Sequence, residues 1–165
     1  MSQFNYAQAI QSAQQGDLEA FAKVVEAFQD MANGIAYGWL GDSEAARDAG
    51  QEAFLEAFKN LQQLQTPEAF PGWFRLIVRK HCDRLTRRKK PEDVQTTSLE
   101  PTDTDPADIL ADNEIRQSVR WTVESLPPAE RLVVALHYFA ELTGAETSAL
   151  LDIPLSTVKK RLRTA

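Results

Sequence analysis

Cysteine occurs once in these 165 residues, at position 82. A single thiol rules out an internal disulfide framework and suits a reducing cytosol. Histidine occurs twice, and with one cysteine that is too few for a convincing zinc site. No apolar run approaches the roughly 18 residues that a bilayer span requires. The first residues, Met1 to Ala7, lack the basic-then-apolar order of a secretory signal. There is no glycine-rich phosphate loop, HExxH, GxSxG or pair of converging carboxylates. Strand-like alternation is missing throughout, which leaves an all-α chain. The expectation is a cytoplasmic protein without membrane insertion, metal, cofactor or catalytic residues.

Positive charge is scarce overall, with a net charge of -6, but it is segregated. From residue 75 to 90 the cations are Arg75, Arg79, Lys80, Arg84, Arg87, Arg88, Lys89 and Lys90, against the single acid Asp83. From Glu92 to Glu114 there is no cation, while eight acids are present. Four cations then crowd the last helix, at Lys159, Lys160, Arg161 and Arg163. A polyanion responds to local patches rather than to the sum. Two basic patches across an acidic connector suggest two nucleic-acid contacts.

Helical periodicity organises the chain. Residues 4 to about 30 read as helix broken near Gln15-Gly16-Asp17, with Asp17 as an N-cap. A second helix is expected from about Met31 to Trp39. Ser43 would cap a third, from Glu44 to about Leu64, whose apolar stripe is Ala46, Ala49, Ala53, Phe54, Ala57, Phe58 and Leu61. A fourth starts near Pro71 or Trp73 and buries Trp73, Phe74, Ile77, Val78, His81, Cys82 and Leu85. Residues 91–105 are polar linker. Asp105-Pro106 opens a helix to about Ser125, Pro127-Pro128 breaks it, and the next helix carries Leu132, Val133, Leu136 and Phe139. Two short helices around a tight turn finish the chain. These are two small helical domains, 1–90 and 106–165, joined by the acidic linker.

His81-Cys82-Asp83 is not a reactive cluster, because consecutive helical side chains point about 100° apart. Asp83 lies four residues from Arg79 and Arg87 and suits pairing with them. On the third helix, Asp48, Gln51, Glu52, Leu55 and Glu56 form a polar, mostly acidic face with one apolar residue. It is either an ordinary solvated face or a docking surface anchored at Leu55. Phe70, Trp73 and Phe74 head the basic helix. Aromatics beside cations can stack single-stranded bases; Trp73 and Phe74 suit the core, whereas Phe70 and the loop from Gln62 to Gly72 are freer to meet a base. In the last unit Leu150, Leu151, Ile153, Val158 and Leu162 form packing faces. Ser156, Thr157, Lys159, Lys160, Arg161 and Arg163 then face outward, as on a helix-turn-helix reading a major groove. A tetratricopeptide-like hairpin is the alternative, but it leaves the cations unexplained.

These segments resemble, over nearly the whole chain, a bacterial sigma factor of the small, extracytoplasmic-function type in the sigma-70 family. Asp42 to Phe58 is similar to the family's helix that docks on the polymerase clamp. Phe70-Pro-Gly-Trp-Phe-Arg-Leu-Ile-Val-Arg79 and Asp83-Arg-Leu-Thr-Arg-Arg88 resemble its promoter-melting, minus-ten-reading helix. Leu126-Pro-Pro-Ala-Glu-Arg131 and Leu151-Asp-Ile-Pro-Leu-Ser-Thr-Val-Lys-Lys-Arg-Leu162 resemble region four, which reads the minus-thirty-five element. The resemblance implies a transcription initiation factor that is not an enzyme, with core RNA polymerase (clamp and flap) and promoter DNA as partners, and it leaves open an anti-sigma factor. Asp48, Gln51, Glu52, Leu55 and Glu56 would bind polymerase; Phe70, Arg75, Arg79, Lys80, Arg84, Arg87 and Arg88 the minus-ten element; and Ser156, Thr157, Lys159, Lys160, Arg161 and Arg163 the minus-thirty-five element. Thr147 stands where the family usually has Ile, and Asp152 where it has Gly. The family's last helix usually runs a turn or two past the position of Ala165, so further chain is expected there. A stand-alone helix-turn-helix regulator and a helical protein-binding module are the alternatives.

Overall fold

A computed structural model describes residues 4–88 and 109–165. The expected N-cap pair Asp105-Pro106 lies outside them. Among the described residues there is no strand, and no helix is long and apolar enough to cross a membrane. The helices are α1 (Tyr6–Gln14), α2 (Leu18–Leu40), α3 (Ser43–Asn60), α4 (Phe70–Arg88), α5 (Ile109–Ser125), α6 (Pro128–Val134), α7 (Gly144–Leu151) and α8 (Leu155–Thr164).

Local chemistry sets most boundaries. Asp17 caps α2 by accepting from Ala20 N at 3.0 Å, which satisfies one of the amides a helix start leaves unpaired. The expected break near residue 30 does not exist, and α2 runs unbroken for 23 residues to a left-handed cap at Gly41. Its sequence there holds no proline, and small residues at 32, 34, 36 and 38 let neighbouring helices close in on all sides. Asp42, not Ser43, caps α3, accepting from Ala45 N at 2.9 Å. That helix ends at Asn60, short of the expected Leu64, and a 3-10 turn follows at Leu61–Gln63. After α6 the helix widens into a π-turn over Ala135–Phe139.

The first domain packs α1, α3 and α4 around α2. Ala46, Ala49, Ala53 and Ala57 of α3 are all buried, so the helix backbones can approach closely. Phe58, expected in this stripe, is half in solvent and leans on Phe21 with ring centroids 4.9 Å apart. The largest buried side chains are Phe70 and Phe74, each worth roughly 2–3 kcal/mol on removal from water. In the second domain α6, the π-turn, α7 and α8 pack together around Val133, Leu136 and Val158. The second half of α2, which also packs on α3 and α4, receives α6 and the π-turn as well.

Candidate nucleic-acid interface

The basic helix α4 is amphipathic. Phe70, Phe74, Ile77, Val78, His81 and Cys82 are buried, while Arg79, Lys80, Arg84, Arg87 and Arg88 are exposed. Burial and the neighbouring Asp83 charge push the Cys82 thiol up to about 12, which makes it an inert packing group. Asp83 is taken by protein partners: it accepts from Trp39 Nε1 at 3.1 Å and lies 3.9 Å from Arg79 Nε. The Arg79 guanidinium also sits 4.9 Å over the Trp39 ring, so its direction is fixed from two sides.

One expected base-stacking residue is displaced from that role. Phe70 is fully buried, stacked on Phe74 at 5.2 Å and edge-on to Phe28 at 5.0 Å. It is core, because the chain turns inward at Leu64 and Pro67, both buried, before α4 begins. The Gln62–Gly72 loop is also less free than expected. Gln14 Nε2 donates to Leu61 O at 2.9 Å and to Leu64 O at 2.8 Å, Gln62 donates back to Gln14 O, and Tyr6 Oη reaches Glu68 O. Gln63, Gln65, Thr66 and Gly72 remain exposed along its outer edge.

On α3, Asp48, Gln51, Glu52 and Leu55 are exposed, Leu55 by 56%. Glu56 departs from the row: its carboxylate is turned to α4, where Lys80 Nζ and His81 Nε2 each approach at 2.8 Å. The Lys80 hydrogen bond holds this carboxyl below its ordinary value against the opposing effect of burial, and His81 adds to it. Asp48 and Glu52 border a small cleft shared with Arg84 and Leu85 of α4. The acidic face and the basic face are thus neighbours. Arg75 is half-buried, and its Nη1 donates to Leu151 O of α7 at 3.3 Å, so it is engaged within the protein.

The second domain ends in two helices around a three-residue turn. Thr143 and Glu146 form a capping box on α7, with Glu146 N donating to Thr143 Oγ1 at 3.2 Å and Thr143 N to Glu146 Oε2 at 2.8 Å. Thr143 Oγ1 in turn donates to Glu146 Oε2 at 2.7 Å, and this bond, followed by the one from Thr143 N, lowers the Glu146 carboxyl against the opposing effect of burial. Asp152 ends α7 in the left-handed conformation, φ 54 and ψ 47, where Asp is tolerated better than most residues. Ser148 Oγ donates to Ile153 O at 2.6 Å and ties the turn. Pro154 precedes α8 without a side-chain cap; Thr157 N and Val158 N donate to Pro154 O at 2.9 and 3.2 Å, and the helix start offers no side-chain acceptor to the amides before them. Val158 is buried against the other helices; Ser156, Lys159, Lys160 and Arg163 are exposed, and Thr157 and Arg161 are half-buried. This is a helix-turn-helix with a cationic second helix.

The family descriptions Sigma-70 region 2 and Sigma-70, region 4 match residues 24–91 and 116–165. The chain belongs to the sigma-70 family. It is 29% identical to the ECF RNA polymerase sigma factor SigW of Bacillus subtilis (strain 168), over 93% of this chain and 88% of that one. It is 27% identical to the ECF RNA polymerase sigma-E factor of Escherichia coli (strain K12), over 93% and 86%. The solved structure of CnrH, determined in complex with the cytosolic domain of CnrY, shares the fold with a TM-score of 0.66, at 20% identity over 97% of this chain and 91% of that one. This sigma factor is a member of the extracytoplasmic-function group and directs RNA polymerase to promoters to initiate transcription. Sigma factors are initiation factors rather than enzymes. Among the described residues, no group of three or more His, Cys, Asp and Glu is placed to hold a metal ion.

Proposed function

We infer that this sigma factor divides its work between residues 1–90, which dock on core polymerase and open the minus-ten element, and residues 106–165, which read the minus-thirty-five element. Asp48, Gln51, Glu52 and Leu55 would meet a basic surface of the polymerase clamp, with Leu55 as the apolar centre and the acids as its polar rim. Arg79, Arg84, Arg87 and Arg88 would hold the phosphates of the parted strand, and the outer edge of the Gln62–Gly72 loop would approach its bases. In α8, Lys159, Lys160 and Arg163 would reach the major groove while the helix start accepts a phosphate. The polymerase flap is the expected partner of the second domain. An anti-sigma partner is a further expectation, supported by the complex in which the similar fold of CnrH was solved. The reading implies a cytoplasmic site of action.

The observation that carries this division is the adjacency of the exposed acidic stripe of α3 to the cationic face of α4 at Asp48, Glu52 and Arg84. A stand-alone DNA reader has no use for such a stripe. Mobility shifts with promoter DNA, using this chain alone, core polymerase alone and both together, test it. A specific complex is expected only with both. An equally strong specific complex without polymerase would sink the reading.

A further inference from the structure

Lys80 differs from the arginines that follow it on α4. Its side chain is 68% exposed, yet Nζ donates to Glu56 Oε1 of α3 at 2.8 Å. Arg84, Arg87 and Arg88 have no ion pair among the described residues. The carboxylate that receives Lys80 is itself pinned. Its other oxygen lies 2.8 Å from Nε2 of His81, which is buried. The second ring nitrogen, Nδ1, is buried without a partner among the described residues. An ionised carboxylate only accepts, so His81 Nε2 carries the proton and donates. The Lys80 hydrogen bond holds the Glu56 carboxyl below its ordinary value, which keeps it charged at neutral pH. Glu56 is thus fixed by the core and in turn holds the Lys80 ammonium.

Such a pair changes what the lysine can do. A free lysine is a mobile point charge that serves a phosphate from many directions. Beside a carboxylate at hydrogen-bond distance that charge is largely cancelled, so its pull on a phosphate is weak. The ammonium has three donors and the pair uses one, which leaves two, pointing away from the carboxylate. The rotamer freedom that a lysine gives up on binding is already lost. We infer that Lys80 reads a base of the minus-ten element, taking a carbonyl-bearing edge such as guanine O6 or thymine O4. Glu56 is its positioning residue and no part of the polymerase-docking stripe. The inference rests on assigning α4 to the minus-ten element. Phosphates fall to the unpaired arginines, one and two turns further along the helix, which fix the register in which Lys80 meets its base.

Glu56→Gln keeps the shape and removes the charge. In the holoenzyme it should free Lys80 as a full cation: the dependence of log affinity on log salt steepens by about one counterion. Discrimination between the native promoter and promoters altered at single minus-ten positions should fall about tenfold. Lys80→Met removes the donors at an exposed site without touching the core. It should lose the same discrimination, at one position of the element, with the salt dependence near native. In the Lys80→Met background, Glu56→Gln should change neither quantity further. Affinity for core polymerase, measured without DNA, should stay native in all three variants. Native salt dependence and discrimination in Glu56→Gln, effects of Glu56→Gln that persist in the Lys80→Met background, or weakened polymerase binding would each overturn the role given to Glu56. A salt dependence lowered by one counterion in Lys80→Met, with discrimination intact, would make Lys80 a phosphate contact and overturn the base reading. A native holoenzyme that does not discriminate among promoters altered at minus ten would instead overturn the assignment of α4, on which the inference rests.

Discussion

His81, buried on α4, meets the Glu56 carboxylate of α3 at 2.8 Å. Lys80 closes on the other oxygen of the same carboxylate. One side chain therefore joins the helix assigned to polymerase to the helix assigned to promoter DNA. Glu56→Ala leaves a buried ring nitrogen unpaired and is expected to cost about 1–3 kcal/mol, read from urea unfolding midpoints. The carboxyl is held below its ordinary value, mainly by the Lys80 hydrogen bond. Its stabilisation is thus present above the ordinary carboxylate range and is lost as pH falls through the lowered value. In Glu56→Gln the acid limb of the stability profile should flatten; an unchanged limb would show that other carboxylates dominate it.

Leu55 and Glu52 lie on the exposed face of the same helix. Leu55→Asp and Glu52→Lys should each weaken binding to core polymerase by tenfold or more, about 1.4 kcal/mol, with thermal midpoints close to the native value. Anisotropy titration of labelled protein with core polymerase provides the measurement. Native affinity in both variants would remove the docking stripe from α3.

Lys160 and Arg163 point outward from α8. Replacing either with Ala should weaken promoter binding by the holoenzyme and lower the salt dependence of that binding by about one counterion each, if the contact is to phosphate. A base contact would instead relax selectivity at one position of the minus-thirty-five element. Titrations at several salt concentrations on native and altered promoters separate the two.

Thr147 is fully buried on α7, and its hydroxyl has no hydrogen-bond partner among the described residues. Thr147→Val keeps the shape and removes the unpaired group, so a gain of about 1 kcal/mol is expected. The denaturant midpoint should rise with an unchanged slope; a lower midpoint would mean that the hydroxyl finds a partner in solution.

Features encoded within a few residues were legible in the sequence. Asp17 caps α2 as its spacing from Ala20 suggests, Pro127-Pro128 marks the entry to α6, and Asp152 turns left-handed where a glycine is usual. What lay beyond local pattern was not. A flat aromatic ring at the head of a basic helix suits base stacking and core packing equally, and only the inward course of the preceding loop decides for Phe70. Glu56 and Leu55 look alike as members of one helical face, yet a helix of 3.6 residues per turn rotates one toward α4 and leaves the other in solvent. The arginine contacts between domains join residues more than seventy positions apart, and no spacing rule announces them.

The close seat of α6 on α2 at Gly38 also bears on how freely the two halves of this chain can be recombined. A hybrid that grafts a foreign second domain onto this first one inherits a surface shaped to Leu132 and to the fork of Arg131, which donates to Gly38 O and Trp39 O. A hybrid in the other direction meets a side chain wherever its host lacks glycine at the corresponding position. Either graft could keep both folds and both DNA surfaces and still change how the halves associate. The absent Cβ of Gly38, which would stand 2.5 Å from Leu132 Cα, is what any exchanged partner has to match.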